Sequence, residues 1–143
     1  MLLLSLTLSV TSLPNITIHT VRADGVDVFY RTAGAEKAPV LLLLHGFPTS
    51  SVSYRHLLDG LSDKYRVIVR ALVLIPPIKK EANFSLFQAP DYPGFGFTEV
   101  PADRQYQYTF DALAKTVEAF TDILGLRKYG LDIFDYGAPV GLR

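Results

Sequence analysis

Pro39-Val40-Leu41-Leu42-Leu43-Leu44 is a continuous apolar run that stops abruptly at His45-Gly46. Too short for a stable helix and without polar alternation, it fits a central strand buried on both faces, as in parallel sheets. A strand of that kind needs a layer of structure on each side of its sheet, and the neighbouring sequence offers both. Ile16–Val21 and Val26–Arg31 alternate with period two around Asp24-Gly25, which reads as a β-hairpin. After Pro48-Thr49-Ser50 a helix is expected to carry Tyr54, Leu57, Leu58 and Leu61 inward, ending near Asp63-Lys64, with Tyr65-Arg66-Val67-Ile68 opening a further strand. Phe110, Leu113, Val117, Phe120 and Leu124 recur at helical steps, with Thr109 placed to cap the start and Gly125 to end it. Tyr129–Phe134 then gives a short strand running into Asp135-Tyr136-Gly137-Ala138. Strands alternating with helices predict a three-layer α/β fold, its sheet mostly parallel and preceded by an N-terminal β-hairpin.

Charge and cysteine content narrow the chemistry. The 143 residues carry 14 Lys+Arg against 14 Asp+Glu, a formal net charge of zero, with no basic run to track a phosphate backbone or an anionic membrane. No nucleic-acid partner is therefore expected. The absence of Cys removes disulfides, thiolate metal sites and a cysteine nucleophile. No apolar run reaches the ~18 residues of a membrane-spanning helix, so no transmembrane segment is expected. Residues 1–12 form a leader or signal-like extension that lacks the basic start of a secretory signal, which favours a cytoplasmic over a secreted protein. The sequons Asn15-Ile16-Thr17 and Asn83-Phe84-Ser85 have meaning only under secretion.

Three separated motifs carry a resemblance. They are His45-Gly46-Phe47-Pro48 after the apolar strand, Asp91-Tyr92-Pro93-Gly94-Phe95-Gly96, and Phe134-Asp135-Tyr136-Gly137-Ala138. In this order, with the Thr109–Leu124 helix between the second and third, residues 26–143 resemble an α/β-hydrolase of the aspartate-nucleophile branch that holds epoxide hydrolases and haloalkane dehalogenases. The third motif looks like a nucleophile elbow, whose tight strand-to-helix turn needs small residues such as Gly137 and Ala138. The residue at its tip is Asp135, and no Gly-x-Ser-x-Gly occurs, which demotes a serine esterase.

The resemblance implies that Asp135 attacks an sp³ carbon and that the backbone N–H groups of Phe47 and Tyr136 form the oxyanion hole. It also suggests a cis Phe47-Pro48 bond, a small apolar epoxide or related electrophile as substrate, and no metal or organic cofactor. His45 reads as structural, as do the turn residues Gly46, Pro48, Asp91, Gly94 and Gly96. Dehalogenases usually place Asn and Trp at the positions of Phe47 and Tyr136 to hold halide. The His-Gly-Phe-Pro form is closer to epoxide hydrolases, although Tyr136 and Ala138 replace the Trp and Gly usual in their elbow. Gly94-Phe95-Gly96 lacks the third glycine of a dinucleotide loop. His19 and His56 read as surface or packing residues, and Tyr106 and Tyr108 either line a pocket entrance or lead into the helix.

Two departures from the family pattern stand out. The family's catalytic His and acid come from later strands, whereas here all three histidines precede Asp135. The 143-residue product is accordingly expected to be incomplete and inactive alone. A different class of reading follows, in which it is a non-catalytic fragment or binding module that self-associates through an unpaired sheet edge. The second departure is Val69–Gln88, 20 residues that separate Tyr65-Arg66-Val67-Ile68 from Ala89-Pro90-Asp91. Insertions belong in surface loops rather than within a central strand. Val69-Arg70-Ala71 is encodable as GTA-CGT-GCN, Ala82-Asn83 as GCT-AAC and Phe87-Gln88 as TTT-CAG, the start, branch point and end of an intron. The segment is therefore expected to be a retained intron, with a lineage-specific loop as the rival.

Overall fold

The computed structural model describes residues 16–34, 36, 38–61 and 86–143. The leader, both sequon asparagines, the expected strand at 65–68 and most of the expected insert lie outside these residues. Strands β1 (Thr17–Ala23) and β2 (Val26–Gly34) form the expected hairpin. Its two-residue turn has Asp24 and Gly25 at φ +49° and +71°, the backbone that keeps the twist of the flanking strands.

The apolar run becomes β3 (Val40–Leu44), with Leu42, Leu43 and Leu44 fully buried. With β4 (Leu86–Pro90) and β5 (Tyr129–Ile133) it completes a five-stranded sheet of order β1-β2-β4-β3-β5. β3 pairs parallel with both β4 and β5, while β2 joins β4 antiparallel. The mixed sheet with an N-terminal hairpin is the α/β architecture expected from the sequence. Continuous apolar strands suit its centre because both faces are covered. Leu42 and Leu44 pack with Leu113, Phe120 and Val140 on one side, and Leu43 packs with Tyr54 and Leu58 on the other. Among the described residues β5 pairs on one side only.

Helix α1 (Arg55–Leu61) continues from a 3-10 turn over Ser51–Tyr54, with Tyr54 and Leu58 buried as expected. Helix α2 (Phe110–Ile123) opens with Thr109 Oγ1 accepting the Ala112 N–H at 3.2 Å. It closes through Gly125 N–H to Asp122 O and Leu126 N–H to Thr121 O, both orphan carbonyls met by a left-handed Gly125 at φ +67°. The short helix α3 (Gly137–Gly141) follows β5. No helix among the described residues is long and apolar enough to cross a membrane.

Candidate active site

β3 and β5 are neighbours in register, Leu44 opposite Ile133, so the loops that leave their carboxyl ends emerge side by side. The loop after β3 is a turn over Gly46–Thr49, closed by Thr49 N–H to Gly46 O at 3.1 Å, with Phe47-Pro48 cis. The loop after β5 puts Asp135 at φ +51°, a left-handed backbone uncommon for any residue but glycine. That conformation turns the chain from strand into α3 across the three residues between Ile133 and Gly137 and leaves the Asp135 side chain exposed.

The turn requires close approach at two glycines. A Cβ on Gly137 would lie 2.3 Å from Leu44 O, and one on Gly46 would lie 2.7 Å from Asp135 Cβ and 2.8 Å from Phe134 Cε2. With both positions bare, Phe47 N–H and Tyr136 N–H each donate to Asp135 Oδ1, at 2.7 and 2.8 Å. Two converging amides on one oxygen hold the carboxylate in a fixed orientation and leave Oδ2 outside that pair. Phe47, 59% exposed, and Tyr136 stand beside the carboxylate with ring centroids 5.5 Å apart, and Phe95 and Phe110 pack against Tyr136. An apolar aromatic surface thus borders a single carboxylate.

His45 is fully buried beneath this turn. Its Nδ1–H donates to Gly46 O at 3.1 Å, and Nε2 accepts the Tyr92 N–H at 3.2 Å. Both ring nitrogens are committed, which fixes the neutral tautomer. Burial, opposed by the Gly46 bond and by Asp91, holds its pKa below that of a free imidazole. Asp91, also buried, accepts the Ser51 N–H on Oδ1 at 2.6 Å and the Phe97 N–H on Oδ2 at 2.9 Å. The Asp91–Gly96 turn is thereby fastened to the segment after Pro48, with Gly94 and Gly96 at positive φ.

His19 stacks on Tyr30 on β1, at the opposite edge of the sheet from β5, and His56 is exposed on α1; neither is hydrogen-bonded to Asp135. Tyr106 is buried in the α2 face of the core and does not line an entrance, whereas Tyr108 is exposed. Tyr106 OH and Thr116 Oγ1 share a hydrogen bond at 2.8 Å, and Thr116 Oγ1 donates to Asp24 Oδ2 at 3.1 Å, to which Arg104 also donates at 3.0 Å. The sequence reading missed this clamp on the hairpin turn, since its members are up to 92 residues apart.

The chain is 42% identical over 120 residues to an uncharacterized hydrolase of Saccharomyces cerevisiae, a match covering 84% of this chain and 34% of that protein. It is similar in structure to the epoxide hydrolase VrEH1 from Vigna radiata, at 31% identity and a TM-score of 0.64, over 88% of this chain and 32% of that one. It is likewise similar to a haloalkane dehalogenase, the DbeA-M1 loop variant from Bradyrhizobium elkanii, at 28% identity and a TM-score of 0.68, over 89% and 35%. No family model matches the chain. It spans about a third of the length of these relatives.

Proposed function

The chain belongs to the α/β-hydrolase superfamily, in the branch that contains epoxide hydrolases and haloalkane dehalogenases, and we propose that Asp135 is its nucleophile toward an apolar epoxide. The observation that carries this reading is the pair of amides on Asp135 Oδ1. In the reaction Oδ2 attacks an epoxide carbon, the ring C–O bond breaks, and the departing oxygen takes a proton from solvent. Oδ1 becomes the carbonyl oxygen of the resulting ester. When water adds to that carbonyl, negative charge develops on Oδ1, where Phe47 N–H and Tyr136 N–H already point. The attacking water gives its proton to solvent; collapse then breaks the Cγ–Oδ2 bond, the diol leaves with that oxygen and takes up a proton, and the carboxylate is regenerated with the water oxygen.

Phe47 offers no side-chain N–H to a departing halide, which favours an epoxide over an alkyl halide. None of the three histidines stands where it could activate water at Asp135, because His45 has both nitrogens engaged and the other two lie elsewhere. The 143-residue chain is therefore expected to stop at the ester.

Incubation with an aryl glycidyl ether, followed by mass spectrometry of the intact chain and of its tryptic peptides, tests the assignment. A single adduct on Asp135, formed at least ~10-fold faster than on exposed Asp111 and absent in Asp135→Asn, is the expected result. Equal labelling of exposed carboxylates, or an adduct that survives Asp135→Asn, overturns it. An alkyl bromide is expected to label Asp135 more slowly than the epoxide.

A further inference from the structure

β4 lies between β2 and β3, so both of its edges are hydrogen-bonded, and all five of its residues are buried. Gln88 sits at its middle. The register sets it opposite Thr32 on β2 and Leu42 on β3, and residues so paired share a face of the sheet. That face is the α2 side of the core, to which fully buried Leu42 belongs. Gln88 is only 8% exposed and its Oε1 has no hydrogen-bond partner. A buried acceptor left unpaired beside a leucine, in the centre of a sheet, is a mismatch between residue and position.

A second stretch of the same sequence suits the middle of this strand better. Joining Ile68 directly to Ala89 yields Tyr65-Arg66-Val67-Ile68-Ala89-Pro90-Asp91, in which Ile68 takes the place of Gln88, Val67 that of Phe87 and Arg66 that of Leu86. Ile68 is apolar and β-branched, which suits a pleated interior position, and it has no group to leave unpaired. Val67 is smaller than the buried Phe87, and Arg66 enters at the strand's first residue, where Leu86 is 8% exposed, so the better fit lies at the Gln88 position. Ala89, Pro90 and Asp91 keep their places, so Asp91 still receives the Ser51 and Phe97 amides.

We propose that the β4 position of this sheet is built for Arg66-Val67-Ile68-Ala89-Pro90, and that residues 69–88 are translated from a 60-nucleotide intron kept in the message. The inference rests on Gln88, the strand register and boundary residues that GT-starting and AG-ending codons can encode, and it is independent of the chemistry assigned to Asp135. Excision at these boundaries preserves the reading frame, since 20 codons are removed whole.

Reverse transcription across codons 60–100 is the decisive experiment. A product 60 nucleotides shorter, joining the codons of Ile68 and Ala89, is expected. A message that is only ever full length, or a gene lacking GT at codon 69 or AG at codon 88, overturns the proposal. On the protein, the chain without residues 69–88 is expected to unfold cooperatively at a Tm at or above that of the 143-residue chain. A lower Tm overturns the strand assignment. Gln88→Ile in the uncut chain isolates the buried amide and is expected to raise Tm by about 3–8 °C, whereas an unchanged or lower Tm counts against the mismatch on which the inference stands.

Discussion

The backbone N–H of Phe47 lies 2.7 Å from Asp135 Oδ1, joining two residues 88 positions apart. The contact exists because β3 and β5 are parallel neighbours whose ends are level, so a turn leaving one meets an elbow leaving the other. In the proposed chemistry fold and reaction meet at this amide, which orients the carboxylate in the free protein and would face the charge developing on the ester.

Replacing Asp135 by Asn separates these roles. Asn tolerates the left-handed backbone at φ +51° and retains an oxygen for the two amides, but it is not a nucleophile. Urea unfolding is expected to change by less than about 1 kcal/mol, while alkylation by an epoxide falls below detection, a loss of at least ~100-fold.

Gly46→Ala tests the geometry by crowding both the Asp135 side chain and the turn that holds it. The added Cβ would meet Asp135 Cβ at 2.7 Å and the Phe134 ring at 2.8 Å, so the turn must move and carry the Phe47 amide with it. The expected result is alkylation of Asp135 slowed by roughly 10- to 100-fold, with the circular dichroism spectrum unchanged. Labelling at the original rate would show that the Phe47 amide does not set the reactivity of the carboxylate.

Much of this arrangement is legible in the sequence because it is local. The hairpin follows from Asp24-Gly25 between alternating strands, α2 from the spacing of Phe110, Leu113 and Phe120 with Thr109 at its start, and β3 from its unbroken apolar run. The elbow is legible because small residues must follow Asp135. What escapes is the pairing of polar groups across distant segments. Thr116 and Thr121 are buried on α2, where periodicity marks only the apolar positions. His45 reads as a turn residue, but nothing in its neighbourhood shows that Tyr92, 47 residues on, supplies the bond to Nε2. The third strand of the sheet reads differently again. Leu86–Gln88, assigned by the sequence to the insert, is continuous with Ala89-Pro90 in β4, since Leu86 and Phe87 are apolar and directly precede the two residues that the sheet needs.

Asp91 holds two loops through its two oxygens, so its loss strands two amide donors. Asp91→Ala leaves the Ser51 and Phe97 N–H groups without their acceptor in a buried setting, and a cost of about 2–4 kcal/mol in urea unfolding is expected. Asp91→Asn keeps one acceptor oxygen but turns an N–H₂ toward the second amide, and it is expected to fall between the two. A loss below about 0.5 kcal/mol in both variants would show that the loops are held by other contacts.

His45 makes the stability of the chain depend on pH in a definite direction. Its imidazole is buried and neutral, with a pKa held below the free value of 6.5 chiefly by burial. Below pH 6.5 the unfolded chain therefore binds a proton that the native state resists, and stability falls as pH falls toward the native pKa; above pH 6.5 the contribution is complete. The limiting slope for one such group is about 1.4 kcal/mol per pH unit. Asp132 works in the opposite sense, because burial raises its pKa above 3.8 and acidification then favours the native state. The two separate in His45→Gln, whose side-chain oxygen still accepts the Tyr92 N–H but does not titrate. Unfolding free energies measured in urea from pH 7.5 to 5 are expected to drop more steeply in the parent chain than in His45→Gln. The difference between the curves is expected to open only below pH 6.5, with Asp132 cancelling from it. Parallel curves would mean that His45 accepts a proton without disturbing the fold, which two committed ring nitrogens in a fully buried site do not allow.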